Sequence, residues 1–378
     1  MAQKVKLLAT AAMGLESVVA QELKNLGYQD LQVENGKVLF EAETSAIARC
    51  NLWLRTADRL KVVVGEFKAT TFDELFEQTK ALDWERYIPE DGRFPVNGKS
   101  VKSTLYSVSD CQAIVKKSVA EKLKQKHGIA SRMEETGAMY KIEVALLKDK
   151  ATLTIDSSGS GLHKRGYRTG QGDAPLKETL AAALVQLTNW KPDYPLVDLF
   201  CGSGTILIEA ALIGQNIAPG FNREFASESW ELVSDKEWNA AFEEAESLAN
   251  YDQPLDITGT DLNPKMIEIA KQNAIEAGLA DLITWKQMES SDFKPSKPNG
   301  YLISNPPYGE RMSDRESVEK MYRQLGETMR DHPSWSSYII TSHEGFEKLF
   351  GAKATKKRKL FNGFIKVDYY QYFGKHIR

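Results

Sequence analysis

Residues 304–311 read Ser-Asn-Pro-Pro-Tyr-Gly-Glu-Arg, and this run carries the most chemistry in the chain. The apolar stretch before it, Tyr301 to Ile303, predicts a short buried strand. Pro306 and Pro307 cannot donate to a sheet ladder, so the strand must end there. Asn305 and Tyr308 are then held at the carboxyl end of a strand, where open α/β sheets bind their ligands. The chemistry that suits these residue types is transfer to the exocyclic amine of a nucleobase. The Asn305 side-chain oxygen and the Pro306 carbonyl can each accept one N–H of such an amine. That pins the amine and turns its lone pair towards an electrophile, while Tyr308 stacks on the base. Asn305, Pro306, Pro307 and Tyr308 are therefore the candidate catalytic residues. The plainer alternative is an ordinary Pro-Pro turn after a strand.

An amine acceptor needs a donor of the transferred group. Leu196 to Phe200 predicts a second buried strand, which runs into Cys201-Gly202-Ser203-Gly204-Thr205 and then an apolar helix from Ile206 to Ile213. Gly202 and Gly204 let ligand atoms reach the backbone. Asp198 can meet a positive group, and Asp261, after the predicted strand 256–260, can accept both hydroxyls of a ribose. A dinucleotide fold would want a third glycine where Leu207 stands, and no Gly-Lys-Ser/Thr phosphate loop follows. A phosphate-free nucleoside fits better. S-adenosylmethionine is the obvious one, because its sulfonium carries a methyl electrophile. Cys201 lies in this loop and not beside the proline of the turn, so it reads as a small packing residue rather than the nucleophile of pyrimidine C5 methylation.

The elements that must position these residues alternate. Pro175 to Leu187 predicts a helix with proline near its start, Pro264 to Ala277 another, and Ser317 to Arg330 a third. Leu282 to Lys286 and Ser337 to Thr341 predict strands, and Leu360 to Phe373 an aromatic-rich strand pair broken at Asn362-Gly363. Strands alternating with helices mark a parallel sheet. Between Gly214 and Pro254 an insertion holds Phe221, Phe225, Trp230, Trp238 and Phe242. It reads as helical padding with its own small core, or else as a wall of the substrate cleft.

The first half reads differently. Val5 to Ala9, Leu15 to Leu26, Val38 to Ala42, Thr44 to Trp53 and Arg59 to Phe67 run strand, helix, strand, helix, strand, an α+β rhythm of ferredoxin-like type. From Thr71 the pattern restarts: helix Phe72 to Ala81, strand Phe94 to Lys102, helix Ser109 to His127, and a hairpin of Tyr140 to Leu147 with Ala151 to Ile155. The long helix carries Lys116, Lys117, Lys122, Lys124 and Lys126, with Lys99 and Lys102 upstream and only Asp110 and Glu121 opposing them. Such a stripe can neutralise phosphates without reading bases, or simply be a solvated face. A Gly/Ser-rich and then basic stretch, Asp156 to Arg168, is the best boundary in the chain, and its His163, Lys164, Arg165 and Arg168 could meet a nucleic acid backbone or only solvate a connecting strand. Three domains follow: 1–68, 69–160 and 161–378.

With 378 residues and a formal net charge of -3, the chain is long enough for these domains but not basic overall, so any nucleic acid site must come from local clustering. Cys50, Cys111 and Cys201 are far apart, which argues against disulfides and metal sites and for a reducing, cytoplasmic setting. No stretch reaches the roughly 20 apolar residues of a membrane helix.

Three motifs occur in order: Asp198-Leu-Phe-Cys-Gly-Ser-Gly-Thr205, Gly259-Thr-Asp-Leu-Asn263 and Asn305-Pro-Pro-Tyr-Gly-Glu-Arg311. Together they resemble the class I RNA methyltransferases that carry an N-terminal THUMP domain, over nearly the whole chain. Leu162-His-Lys-Arg-Gly-Tyr-Arg168 and Pro175-Leu-Lys-Glu178 are similar to the joining segments of the bacterial large-subunit ribosomal RNA guanine-N2 methyltransferases. Lys116-Lys117 and its helix resemble the THUMP core. One departure is Asn299-Gly300, where relatives carry an acidic residue before the strand of the turn. The resemblance implies a Rossmann-like class I methyltransferase domain, mostly parallel with an antiparallel C-terminal strand pair, behind an α+β ferredoxin-like/THUMP region. It implies S-adenosylmethionine as cofactor, held by Asp198, Cys201, Gly202, Ser203, Gly204, Thr205, Asp261, Leu262 and Asn305, with Met288 and Glu289 near the adenine and Asp292 accepting from its amine. It implies RNA as partner, ribosomal RNA first and transfer RNA second, met by Lys99, Lys102, Lys116, Lys117, Lys164, Arg165 and Arg168, with no metal and no membrane. Two further readings stay open: a DNA adenine-N6 methyltransferase, which shares the Asn-Pro-Pro-Tyr turn, and a non-catalytic RNA-binding assembly factor.

Overall fold

The structure is a computed structural model that describes residues 4–170, 175–309 and 312–375. Glu310 and Arg311, the end of the Asn-Pro-Pro-Tyr motif, lie outside the described residues. The chain divides into two compact units, the first of residues 4–11, 20–162 and 224–244, the second of 12–19, 163–223 and 245–375.

In chain order the first half gives β1 (Lys4–Ala11), α1 (Glu16–Asn25), β2 (Gln32–Glu34), β3 (Lys37–Glu43), α2 (Ser45–Trp53), β4 (Ala57–Lys68), α3 (Phe72–Lys80), β5 (Val96–Val101), α4 (Val108–His127), β6 (Ile142–Leu147) and β7 (Lys150–Asp156). Their strands form one sheet in the order β2-β3-β1-β4-β7-β6-β5. The four strands β2, β3, β1 and β4 have the ferredoxin-like order, and β4 pairs antiparallel with both β1 and β7. The sequence boundary at 68 therefore falls at the end of a strand that both N-terminal modules share. Alternation drives the local structure: Ile142, Val144 and Leu146 are buried while Glu143 between them is not. On α4 the residues Cys111, Val115, Val119 and Leu123 are buried at helical spacing. Thr71 and Glu74 form a capping box that starts α3.

The insertion departs from its expected role. Residues 224–244 belong with the first unit, and within them Phe225, Trp238 and Phe242 do pack on one another, at 5.4 and 6.0 Å. Trp230 is buried, stacks on Tyr140 at 5.1 Å and donates from Nε1 to the Met139 carbonyl at 2.9 Å. Ser227 Oγ donates to the Ser157 carbonyl at 2.9 Å, and Arg49 pairs with Glu244 at 2.6 Å. Of the aromatic residues read as padding, Trp230 anchors the insertion on the first unit.

The second unit carries α5 (Glu178–Gln186), β8 (Leu196–Asp198) and α6 (Thr205–Gly214). After α7 (Asp235–Leu248) come β9 (Ile257–Asp261), α8 (Pro264–Glu276), β10 (Ile283–Gln287), β11 (Tyr301–Ser304), α9 (Met312–Arg330), β12 (Ser336–Thr341), α10 (Phe346–Phe350), β13 (Lys356–Asn362) and β14 (Ile365–Tyr372). The sheet order is β10-β9-β8-β11-β12-β14-β13. The first five strands are parallel neighbours, and β14 is antiparallel to β12 and β13. From β8 the chain builds outwards to β9 and β10, then returns to add β11 and β12 on the other side. The strand order reverses between β8 and β11, and that is where such sheets bind ligands. Helix α5 begins at Glu178, later than expected, because Lys177 is still extended with φ −65° and ψ 140°. Among the described residues no helix is long and apolar enough to cross a membrane.

Candidate active site

Every loop of the site leaves the carboxyl end of a strand in the second unit. The loop after β8 turns through Gly202 at φ 52° and Gly204 at φ 82°, and Gly204 is the N-cap of α6. A Cβ on Gly204 would stand 2.6 Å from Trp285, so only glycine fits there. A Cβ on Gly202 would meet nothing within 4 Å, which leaves the ligand side of the loop open. Asp261 ends β9, and its carboxylate anchors the loop: Oδ2 accepts from the Gly202 N–H at 3.0 Å and Oδ1 from the Asn263 N–H at 2.9 Å. Each oxygen keeps a lone pair for a hydroxyl. Leu262 beside it is exposed, and Asn263 caps α8 through the Lys265 N–H at 3.0 Å.

Asp198, read from the sequence as able to meet a positive group, lies buried before the loop. It is 1% exposed, and its Oδ1 accepts from Ser304 Oγ at 2.7 Å and from the Phe200 N–H at 3.0 Å. Ser304 Oγ in turn accepts from the Leu199 N–H at 3.1 Å. Asp198 thus ties the end of β8 to the end of β11 and holds the glycine loop in register with the Asn-Pro-Pro-Tyr turn. Burial pushes its carboxyl up to about 7. Cys201 is buried and its thiol points at the Gly202 carbonyl; burial first, then Asp198 and Asp261, pushes the thiol far up, which fits packing and not nucleophilic attack.

In the turn, Tyr308 donates its hydroxyl to Asn305 Oδ1 at 2.7 Å. Asn362 Nδ2, from the end of β13, lies 3.5 Å from the same hydroxyl. Asn305 and Tyr308 are half-buried, Pro306 is buried and Pro307 exposed. Tyr322 of α9, fully buried, donates to the Pro307 carbonyl at 2.7 Å and shares a hydrogen bond with Thr341 at 2.8 Å. The Tyr308 hydroxyl therefore has a task that stacking alone did not suggest: it fixes which way the Asn305 amide faces. After β10, the Met288 N–H donates to the Asp261 carbonyl at 3.2 Å, and Met288 packs on the core while Glu289 and Asp292 are exposed.

Two of the proposed RNA-contacting cations have other work. Arg165 is 3% exposed and paired with Glu209 at 3.3 Å, and Tyr167 donates to the same carboxylate at 2.9 Å. A buried guanidinium that satisfies a fully buried glutamate has no surface to offer RNA. Arg168 donates to Glu178 at 2.7 Å, to Ser203 Oγ at 3.3 Å, to Thr205 Oγ1 at 3.0 Å and to the Leu176 carbonyl at 2.9 Å. It clamps the cofactor loop. Asn273 of α8, 1% exposed, holds the same loop by donating to the Ser203 carbonyl at 3.0 Å. Sequence reasoning missed Asn273 and Tyr322, whose neighbours in sequence give no signal of a role. Lys164 is exposed.

In the first unit, the lysine stripe is more neutralised than its local sequence implied. Lys116 pairs with Glu135 at 2.7 Å and sits 3.5 Å over the Phe94 ring, Lys126 pairs with Glu85 at 3.2 Å, and Lys99 with Glu143 at 3.1 Å. The opposing acids come from elsewhere in the chain. Lys102 and Lys117 are exposed. Among the described residues no group of three or more His, Cys, Asp or Glu is placed to hold a metal ion.

The open face at Gly202 and the Asp261 carboxylate suit the ribose of S-adenosylmethionine, and the half-buried Asn305 follows the neighbouring strand β11. Comparison with known proteins agrees. A family described as RMKL-like, methyltransferase domain, matches residues 165–371, an RlmL ferredoxin-like domain matches 6–61 and a THUMP domain matches 69–156. YpsC of Bacillus subtilis, provisionally named an RNA methyltransferase, is 62% identical over 99% of this chain and 97% of its own. The ribosomal RNA large subunit methyltransferase K/L of Shewanella frigidimarina is 32% identical over 96% of this chain, which spans 52% of that longer protein. Among solved structures, SMU.472, provisionally a methyltransferase and complexed with SAH, is 51% identical with a TM-score of 0.96 over 100% of both chains. A Listeria monocytogenes protein described as a predicted N6-adenine-specific DNA methylase is 60% identical with a TM-score of 0.95, over 99% of this chain and 97% of its own. The glycine loop, the Asp261 anchor and the Asn-Pro-Pro-Tyr turn thus sit in an S-adenosylmethionine-dependent enzyme, and the chain belongs to the THUMP-domain RNA methyltransferases of the RlmK/L family.

Proposed function

We propose that this protein methylates the N2 amine of a guanine in large-subunit ribosomal RNA. The observation that carries the reading is the turn at the switch point: Asn305 Oδ1, oriented by the Tyr308 hydroxyl at 2.7 Å, beside the loop that Asp261 anchors. When bound, S-adenosylmethionine supplies an electrophilic methyl group. Asn305 and the Pro306 carbonyl accept the two amine hydrogens, and the second lone pair of Oδ1 remains for this while Tyr308 keeps its bond. The Tyr308 ring stacks on a base that has left its helix. No strong base is needed, since the amine turns acidic only as it gains the methyl group. Asp198 and Arg168 position the loop and touch no reacting atom.

Ribosomal RNA is favoured over transfer RNA by the name of the Shewanella relative, and RNA over DNA by the THUMP match at 69–156. The competing reading is adenine N6 in DNA, which the Listeria relative's description favours and the same turn would serve. The test is nucleoside analysis by mass after labelled methyl transfer to RNA and DNA from a strain lacking the gene. N2-methylguanosine in 23S RNA is the expected product. N6-methyladenine in the DNA, or label confined to transfer RNA, would overturn the substrate.

A further inference from the structure

The hairpin of β13 and β14 reaches the same end of the sheet as the catalytic turn. β11 and β12 are parallel, so Ser304 and Thr341 end on one side of the sheet. β14 runs antiparallel to β12, with Thr341 opposite Asp368, so the amino end of β14 and the hairpin tip lie on that side as well. The 3.5 Å contact of Asn362 with the Tyr308 hydroxyl fixes this proximity at the residue level.

Lower in the hairpin the apolar residues are used for packing: Leu360, Val367 and Tyr369 are buried. At the tip this stops. Phe364 is 105% exposed, and the two-residue turn Gly363-Phe364 that joins Asn362 to Ile365 has no need of an aromatic side chain. Exposed lysines lie along the same hairpin. Lys366 stands opposite Phe361 and Lys359 opposite Asp368, and both side chains are exposed. Arg358 has a different task, donating to the Gly14 carbonyl and Ser17 Oγ at 2.8 Å each. An aromatic platform between cations is the arrangement that holds single-stranded nucleic acid without reading its sequence.

We propose that this tip is a second RNA contact: Phe364 stacks on an unpaired base next to the extruded target, and Lys359 and Lys366 meet the adjoining phosphates. Extruding one base strips its neighbour of a stacking partner, and Phe364 replaces that partner. The proposal rests on the RNA methyltransferase reading above and adds a residue that binds without taking part in the transfer.

The test uses the full chain and unmodified 23S RNA made by transcription. RNA affinity is read by filter retention and methyl transfer in parallel, so binding reports on the tip whether or not that RNA is methylated. Phe364→Ala should weaken RNA binding and raise KM for RNA roughly 5- to 150-fold, the span of one lost stacking contact. Phe364→Trp should restore it, and S-adenosylmethionine affinity should stay at the parent value in both. Lys359→Ala with Lys366→Ala should lower the slope of log affinity against log salt by about 1.4. Parental RNA affinity in Phe364→Ala overturns the proposal. So does a parent dimer that Phe364→Ala dissolves with RNA affinity unchanged, which would make the tip a protein contact. A parent that binds RNA through the tip but methylates none leaves the contact standing and removes the proposed activity instead.

Discussion

Asp198 shows how one buried carboxyl links the two halves of the site. Its folded-state value of about 7 lies above the ordinary 3.8, with burial as the main cause, so the folded protein holds this proton where the unfolded chain releases it. The contribution is fully present below 3.8 and is lost as pH rises towards about 7. In Asp198→Asn the amide is neutral throughout. The difference in unfolding free energy, variant minus parent, should therefore rise across that window and level off above it. Denaturant titrations at several pH values without cofactor check this; a difference that stays flat means the carboxyl is not held neutral. Asp261 behaves otherwise. It is half-buried, accepts from the Gly202 N–H, and is the carboxylate we propose to meet the ribose. Asp261→Ala should weaken S-adenosylmethionine binding by about 1.5–3 kcal/mol, the range for hydrogen bonds to a charged group. Calorimetry that finds parental affinity in a folded variant would remove it from the cofactor site.

Elements position these residues through side chains that sequence spacing does not reveal. The glycine loop depends on Arg168 from one side and Asn273 from the other. Arg168→Ala should raise the Kd for S-adenosylmethionine and leave the salt slope of RNA binding unchanged; the opposite pattern would return Arg168 to an RNA surface. The motif residues were legible because each needs a special local feature, a glycine, a double proline or a strand-terminal acid. Arg168 and Lys116 were not, because a lone basic residue in sequence gives no sign of a distant partner such as Glu178 or Glu135. The insertion misled for a related reason: its aromatic residues announce a core but not which core. Trp230 packs on Tyr140, so Trp230→Ala should destabilise the first unit by about 3–5 kcal/mol, the cost of emptying a large buried site. Denaturation followed by a first-unit probe tests this, and an unchanged midpoint would contradict the packing.

For the whole molecule, the alternation of strands and helices after residue 175 was enough to read a parallel sheet with its site at the strand ends, because the central strands β8, β11 and β12 are short and buried. The first half was harder to divide. Its two modules share a continuous seven-stranded sheet through β4, and pairing across a sheet edge leaves no mark on either strand's own sequence. A net charge of -3 also places the burden of RNA recognition on local features rather than a general field. The proposed chemistry turns on the Asn305 amide. Single-turnover transfer from labelled S-adenosylmethionine to 23S RNA, comparing the parent with Asn305→Ala, tests it most directly, with the modified nucleoside identified by mass. The account predicts N2-methylguanosine from the parent and loss of most of the rate in the variant, with cofactor and RNA affinities near the parent values, because the lost interaction acts mainly in the transition state. A variant that transfers methyl groups at the parental rate would contradict it and make the Asn-Pro-Pro-Tyr turn a structural feature.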